Sequence, residues 1–164
     1  MKSEKSQDKN RQGKFGEHAV IAKILSQEIN VDICVPVFAN QEGFDLLVVV
    51  HQNRFLRIQV KTTELNNVST NNVQKINLSR FDILIIVEYR GNGEPCFYIM
   101  NHHDIDALRN EIENNTRGRK RTMVFPNNNQ DECCELSLSH MADGSKKFYT
   151  TIENCRGAWR KLLD

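Results

Sequence analysis

Apolar residues near the start of the chain recur at the spacing of an α-helix. The pattern predicts a helix that begins near Lys14, with apolar positions at Phe15, Ala19, Ile21, Ala22, Leu25 and Ile29. Glu17 precedes Ile21 by one helical turn, so we expect it at the edge of the buried face. Residues 1–13 are charged and polar, which predicts a flexible arm ahead of a single domain over residues 14–164.

The next apolar segments have the character of β-strands. Residues 46–50 and 83–87 are continuous aliphatic runs, which are typical of strands buried on both faces. Residues 31–38 alternate in polarity, and Pro36 within them indicates an edge strand or the end of a strand. Two more strands are predicted over residues 55–61 and 96–100. We expect the first three strands to form an antiparallel meander.

The remaining segments complete the predicted architecture. They comprise loops over residues 63–75 and 114–132, a helix from Asp104 to about Ile112, a hairpin that pairs residues 136–139 with 148–149, and a short amphipathic helix over residues 158–163. Trp159 in the last helix is expected in the core. The order of these elements predicts an α/β domain with a mixed sheet flanked by helices.

The composition is that of an ordinary globular domain. The 164 residues suffice for one hydrophobic core, and no apolar run approaches the roughly 20 residues of a membrane-spanning helix. The N-terminal residues lack the apolar core of a secretion signal. The five cysteines are odd in number and irregularly spaced, which favours reduced thiols and a cytoplasmic location. Neither they nor the neighbouring histidines have the ligand spacing of a zinc site.

Basic residues are clustered, although the formal net charge is only +1. Cationic residues outnumber acidic ones in the N-terminal arm, and a second compact cluster consists of Arg117, Arg119, Lys120 and Arg121. Such segregation can make one face of a neutral protein basic, as DNA binding requires. Each cluster alone is equally compatible with a solvated tail or a solvated loop.

Three polar residues, Asp45, Gln59 and Lys61, are found at one end of the predicted second and third strands. A three-residue turn at residues 52–54 would place Leu47 opposite Gln59 and Asp45 opposite Lys61. Gln59 and Lys61 share a face because side chains alternate along a strand, so the three polar residues would meet at one end of the hairpin. A two-residue turn would shift the register by one and direct Asp45 to the wrong face.

These residues carry the groups that phosphodiester hydrolysis needs. A hard cation such as Mg²⁺, with Mn²⁺ as a possible substitute, prefers oxygen ligands. Asp45, the Gln59 amide and the Val60 carbonyl provide such oxygens, and Glu17 can hold the metal or its waters from the first helix. Lys61 can orient or deprotonate the attacking water and stabilise the phosphorane charge.

The chain resembles the PD-(D/E)xK nuclease superfamily in the order of three features: Glu17 on a helix, Gly43-Phe44-Asp45 before a strand, and Gln59-Val60-Lys61 at the end of the next strand. That group includes restriction enzymes, junction resolvases and homing endonucleases. The resemblance implies a restriction endonuclease-like fold and a metal-dependent DNA endonuclease with catalytic residues Glu17, Asp45, Gln59 and Lys61. Gly43-Phe44-Asp45 departs from the usual Pro-Asp, and Gln59 replaces the usual acid.

Gln59 leaves a second interpretation open. Without a carboxylate at this position, the chain could be a non-catalytic DNA-binding module with a nuclease-like fold. A structural or interaction protein is a third possibility, against which the presence of Lys61 beside Asp45 argues. A small nuclease with one site would need at least a homodimer to cut both strands of DNA.

Two further residues near the motif need an interpretation. Thr62 follows the third strand and can donate a hydrogen bond to a DNA phosphate, or can be an ordinary strand residue. Asp82 lies in Arg80-Phe81-Asp82, an echo of Gly43-Phe44-Asp45, but the strand after it ends without Gln-x-Lys. We therefore interpret Asp82 as a turn residue at the entry to a strand.

Overall fold

The computed structural model describes residues 4–27, 31–36, 43–50, 54–64, 73–89, 93–115, 124–126, 132–137 and 150–163. Within these ranges lie eight β-strands: β1 Asp32–Cys34, β2 Leu46–Val50, β3 Arg54–Glu64, β4 Val73–Asn77, β5 Ile83–Tyr89, β6 Cys96–Asn101, β7 Val124–Pro126 and β8 Glu132–Ser137. The described helices are α1 Glu4–Leu25, α2 His102–Asn115 and α3 Thr150–Cys155, with short 3-10 turns at Leu78–Arg80 and Trp159–Leu162. None of them is long and apolar enough to cross a membrane.

A five-stranded mixed sheet in the order β1-β2-β3-β5-β6 forms the centre of the fold. β1, β2 and β3 are antiparallel neighbours, so the predicted meander is confirmed. β3 pairs with β5 in parallel, and β6 returns antiparallel to β5. The continuous aliphatic composition of β5 agrees with this central position, since β5 is buried on both faces. The predicted α/β fold with a mixed sheet is confirmed.

The two faces of the sheet carry separate hydrophobic layers. On one face, Val20 and Ile24 of α1 pack against a layer that includes Ile58 and Val60 of β3. Trp159 is buried in this layer, as predicted. On the other face, α2 and the turn before β5 cover a layer that includes Phe81, Leu84, Ile86, Ile105 and Leu108. The side chains of β3 therefore alternate between an α1 side and an α2 side.

α1 begins at Glu4, ten residues before the predicted start near Lys14. The expected arm over residues 1–13 is thus helical from Glu4 onward. Its residues are mostly good helix formers such as Glu, Lys, Gln and Arg, and it contains no proline. The prediction missed this part because a helix that is polar on all sides has no apolar period to detect.

α2 begins two residues before Asp104, which was predicted to cap it. Asn101 is the capping residue: its Oδ1 accepts a hydrogen bond from the Asp104 backbone N–H at 2.9 Å, and the Asp104 carboxylate accepts one from the Asn101 N–H at 2.9 Å. This reciprocal arrangement satisfies two backbone donors at the start of the helix. Asp104 therefore stabilises the N-terminus from the third helical position.

A second sheet, in the order β4-β8-β7, replaces part of the predicted loop structure. β4 lies within and beyond the predicted loop over residues 63–75, and β7 lies within the one over residues 114–132. β8 pairs with β4 and β7. The predicted partners of β8 in a hairpin, residues 148–149, lie outside the described residues. Polar composition predicted loops here, but strand pairing between distant segments overrides such local preferences.

α1 approaches β3 closely at Gly16. A methyl group at this position would overlap the Thr62 hydroxyl, whereas one at Gly13 would meet no atom within 4 Å. We expect Gly16→Ala to destabilise the fold by about 1–3 kcal/mol, because α1 must move away from the sheet. Gly13→Ala is the matched control and should stabilise by about 0.5–1 kcal/mol through helix propensity. Urea denaturation of both variants measures the difference, and equal effects would contradict the packing described.

Candidate functional site

The pairing of β2 with β3 differs from the predicted register by two residues. Leu46 lies opposite Ile58 and Val50 opposite Arg54, so the connection is three residues long, as predicted, but spans residues 51–53. Continued by one residue, this register places Asp45 opposite Gln59 instead of Lys61. A register shift of two residues leaves every side chain on the same face of the sheet. The prediction that Asp45, Gln59 and Lys61 share one face therefore holds although the register was wrong.

Asp45 ends the pairing between β2 and β3. Its backbone N–H donates to the Ile58 carbonyl at 2.8 Å, which is the last main-chain bond between these strands in the described residues. Its carboxylate Oδ2 then accepts hydrogen bonds from the Val60 backbone N–H at 2.6 Å and from Gln59 Nε2 at 2.8 Å. The side chain thus takes the place of the next strand residue, and beyond it no described residue pairs with β3 on the β2 side. We call this part of β3 the open edge.

The open edge brings three kinds of oxygen together. Asp45 Oδ1 and Gln59 Oε1 accept no hydrogen bond from any residue in the described ranges. The Val60 carbonyl lies on the same edge as its N–H, because both groups of a strand residue point to the same side. Carboxylate, amide and carbonyl oxygens suit a hard divalent cation. No cluster of three or more His, Cys, Asp or Glu side chains exists among the described residues, so any such cation would rely on neutral oxygens too.

Lys61 lies on the α2 side of the sheet together with Gln59. Gln59 is opposite Leu84 and Lys61 opposite Ile86, and both of these neighbours belong to the α2-side layer. Lys61 is half-buried, and its ammonium has no hydrogen-bond partner among the residues that are described. A cation on a largely apolar face next to Asp45 is therefore available to an anionic ligand.

Glu17 is not in contact with the other three predicted site residues. It lies on α1, which covers the opposite face, and its carboxylate forms an ion pair with Lys14 at 2.7 Å. Its side chain is only 14% exposed, and the preceding residue, Gly16, contacts Thr62 of β3. Glu17 is therefore near the level of Thr62 along β3, on the face of the sheet opposite to Gln59 and Lys61.

Thr62 is placed differently from its predicted role in DNA binding. Its hydroxyl is buried beneath α1 without a hydrogen-bond partner, so it is not accessible to a phosphate. The other interpretation, an ordinary strand residue, agrees with this placement. The predicted DNA-binding residues Arg117, Arg119, Lys120 and Arg121 lie outside the described residues.

Asp82 has the structural role that the sequence predicted. Its carboxylate accepts hydrogen bonds from the Arg57 backbone N–H at 2.8 Å and from the Arg57 guanidinium at 2.8 and 3.2 Å. Burial alone would raise the pKa of Asp82, but the hydrogen bonds and charge of Arg57 hold that pKa below its usual range. Asp82 thereby ties the start of β5 to β3.

This pair predicts a pH dependence of stability. Because the pKa of Asp82 is lowered in the folded state, its contribution is present above the pKa of the unfolded chain and is lost as the pH falls through the folded value. Both side chains are more than a third exposed, so we expect Asp82→Asn to cost only about 0.5–1 kcal/mol at neutral pH. Urea denaturation at pH 7 and pH 3 should show that the deficit shrinks in acid. A constant deficit would contradict the role of the charge.

Comparison with known proteins decides the family. A sequence profile of the PD-(D/E)XK endonuclease family matches residues 7–113, which is well over half of the chain. The chain belongs to this family. No curated protein matches the sequence.

A solved structure shares the fold of this PD-(D/E)XK protein. It is that of the bacterial homing endonuclease I-Ssp6803I, with a TM-score of 0.55 and 14% sequence identity, over 94% of this chain and 92% of the other. The resemblance to the PD-(D/E)xK superfamily that the motif implied is confirmed, and so is the restriction endonuclease-like fold. As a family member, the chain is a nuclease.

Glu88 is a polar residue of this nuclease that sequence analysis did not single out. It is 1% exposed, lies opposite Thr63 on the α2 side, and accepts a hydrogen bond from the Tyr98 hydroxyl at 2.5 Å. A buried carboxylate requires such partners. A glutamate near the end of an otherwise aliphatic strand was the available signal. On its own it does not distinguish a buried acid from one at a solvated strand end.

Proposed function

We propose that this nuclease is a metal-dependent DNA endonuclease that hydrolyses phosphodiester bonds at the open edge of β3. The observation that carries the proposal is the carboxylate of Asp45, which is held by Gln59 and the Val60 N–H where β2 leaves β3, with Lys61 next on the same face. This arrangement combines an anionic oxygen from Asp45, neutral oxygens from Gln59 and Val60, and the cation of Lys61 within one short stretch of two neighbouring strands.

Asp45, the Gln59 amide oxygen and the Val60 carbonyl would hold a Mg²⁺ ion, or Mn²⁺ in its place. When bound, such an ion neutralises phosphate charge and activates a water for in-line attack. Gln59 has two tasks in this arrangement: its Nε2 orients Asp45, and its Oε1 is free for the metal. A site with one carboxylate and neutral oxygens should bind magnesium more weakly than a site with two carboxylates.

Lys61 and Glu17 complete the proposed site. Lys61 would orient the attacking water and stabilise the negative charge that grows on the phosphate oxygens in the transition state. Glu17 would hold the metal or its waters after exchanging its ion pair with Lys14. That ion pair is short but lies at a half-exposed lysine, so the exchange costs little.

The DNA substrate would be held outside the site by the basic cluster Arg117, Arg119, Lys120 and Arg121. Each phosphate that the cluster neutralises should steepen the salt dependence of binding by about 0.9 in the log–log slope. We further propose a homodimer or higher oligomer, since one site faces one strand of the duplex. Restriction, intron homing and junction resolution are all compatible with these features.

The test is incubation of the protein with supercoiled plasmid and with branched junction DNAs, in Mg²⁺, in Mn²⁺ and in EDTA. We expect cleavage with either metal and none in EDTA. The alternative function, a non-catalytic DNA-binding module, is favoured by the single carboxylate at the metal position. Binding of these DNAs without cleavage in any metal would support that alternative.

A further inference from the structure

A cavity opens at the end of the central sheet where β3 begins. Its volume is about 460 Å³, and its wall includes Phe55 and Leu56 of β3, Ile83 at the start of β5 and Asn101 at the end of β6. The parallel pairing of β3 with β5 starts at Ile58, several residues after β3 begins. The cavity therefore lies beside the part of β3 that precedes its pairing with β5.

The backbone of Phe55 offers two hydrogen-bonding groups to this cavity. The N–H and C=O of Arg57 both point toward β5, since they bond to the Asp82 carboxylate and to the Asp82 N–H, each at 2.8 Å. Backbone groups of alternate strand residues point to the same side, so those of Phe55 also point toward β5. No described residue bonds to them there. Asn101 adds a donor, because its Oδ1 is used in the cap of α2 while its Nδ2 has no partner among the described residues.

The side chain of Phe55 adds an aromatic surface. Phe55 is 58% exposed and makes no ring contact with any other described residue. It lies on the α2 side of β3 together with Gln59 and Lys61, because side chains alternate along a strand. It precedes Gln59 by four residues, which is about 13 Å along a strand. An exposed ring is thus on the same face as the proposed catalytic residues and close to them.

The charged groups in the wall of the cavity already have partners. Lys161 forms an ion pair with Asp104 at 2.8 Å, and Arg54 donates a hydrogen bond to the Leu162 carbonyl at 3.2 Å. The Asp82 carboxylate forms its ion pair with an arginine of β3. A phosphate would have to displace these partners. A neutral, flat ligand with donors and acceptors along one edge fits the cavity without displacing them.

We propose that the cavity accepts an unpaired nucleobase of the bound DNA, with Phe55 as the stacking surface. A base is apolar on its two faces and carries adjacent donors and acceptors on its Watson–Crick edge, so it matches both the ring and the backbone groups of Phe55. A base of the substrate is favoured over a free nucleoside because Phe55 shares its strand and face with Gln59 and Lys61. The separation of about 13 Å corresponds to about four base steps along a duplex.

This assignment rests on the proposed endonuclease activity and narrows its substrate. Fully paired DNA has no base to place in the cavity unless one is extruded, which costs unstacking energy. A bulge or a branched junction offers an unpaired base without that cost. The preferred substrate is therefore DNA with an unpaired base within a few nucleotides of the cut.

Binding to two matched duplexes tests the proposal. One is fully paired and the other carries a single unpaired adenine, and both are titrated in EDTA, where no cleavage occurs. We expect the wild type to bind the bulged duplex about tenfold more tightly, which is the size of one base–aromatic stacking contact. The melting temperature of the wild type with free deoxyadenosine is measured alongside and should not change.

Variants of two exposed phenylalanines assign the preference to the cavity. Phe55→Leu keeps an apolar side chain and loses the aromatic faces, so it should bind both duplexes equally, with the melting temperature of the wild type. Phe55→Trp should keep the preference. Phe15→Leu is the matched control, because Phe15 is 59% exposed on α1, which covers the opposite face of the sheet. It should prefer the bulged duplex as the wild type does.

The failure of this inference is distinguishable from that of the proposed function. If the wild type cuts DNA but binds both duplexes equally, or if Phe55→Leu keeps the preference, the cavity does not hold a base and this inference fails alone. A melting temperature raised by deoxyadenosine, without a preference for the bulge, would assign the cavity to a small ligand and also overturn it. If the wild type neither binds nor cuts DNA, the proposed function fails and takes this inference with it.

Discussion

Replacing Lys61 with alanine is expected to abolish DNA cleavage while leaving DNA binding nearly unchanged. The ammonium of Lys61 forms no hydrogen bond within the described part of the chain, so its removal breaks no hydrogen bond there. In the proposed reaction it acts mainly on charge that develops in the transition state. Such a loss lowers the rate of the chemical step without weakening substrate binding. We expect a decrease of about 10³-fold or more in the single-turnover rate.

Two variants separate the charge of Lys61 from its packing. Lys61→Met retains the stem of this half-buried side chain and should be as inactive as Lys61→Ala, with a wild-type melting temperature. Lys23→Ala removes a lysine from the C-terminal end of α1 and should leave cleavage intact. Cleavage by Lys61→Met at more than a tenth of the wild-type rate would exclude a direct role for the ammonium.

The second large effect is expected when Gln59 is replaced with glutamate, because the new carboxylate would repel that of Asp45. In the wild type, Gln59 Nε2 donates to Asp45 Oδ2 at 2.8 Å. Gln59→Glu replaces this donor with a second carboxylate oxygen, so a hydrogen bond to a charged group becomes a repulsion. We expect a loss of about 2 kcal/mol without metal, which corresponds to a decrease of about 4–8 °C in melting temperature.

A divalent metal should reverse that loss. Two carboxylates bind Mg²⁺ more tightly than one carboxylate and an amide, and a ligand that binds only the folded state stabilises it. The melting temperature of Gln59→Glu should therefore rise with millimolar Mg²⁺ by more than that of the wild type. Its cleavage should need less Mg²⁺. A melting temperature that does not respond to metal in either protein would argue against a metal site at these residues.

Two further variants of the metal ligands complete the series. Gln59→Ala should lose most cleavage because it removes a ligand and the hydrogen bond that orients Asp45. Asp45→Asn should lose cleavage through loss of the metal. If the wild type binds DNA but does not cut it, and Gln59→Glu switches cutting on, the natural protein is a DNA-binding module. If neither protein cuts DNA that both bind, the site is inactive and the proposed endonuclease activity is wrong.

The sequence predicted correctly which side of the sheet carries Asp45, Gln59 and Lys61. It predicted wrongly which residues of β2 and β3 lie opposite each other. Alternation placed Asp45, Gln59 and Lys61 on one side of a hairpin, which requires only that the register be correct to an even number of residues. The actual register depends on where the turn begins, which the apolar pattern does not specify. As a result, Asp45 bonds to Gln59 and Val60 instead of facing Lys61.

Local patterns in the sequence determined the elements that form the central sheet and the motif that they carry. The aliphatic run of β5 is buried on both faces as predicted, whereas that of β2 is fully buried on one face and only partly buried on the other. The candidate residues Glu17, Asp45, Gln59 and Lys61 follow from their order on helix and strands. Contacts between residues far apart in the chain were decided only by the tertiary structure. They include the ion pair between Arg57 and Asp82, the burial of the Thr62 hydroxyl under Gly16 and the packing of Arg80 on Gly43. The physical reason is that periodicity reports which face of one element is buried, whereas these contacts depend on how separate elements pack against each other.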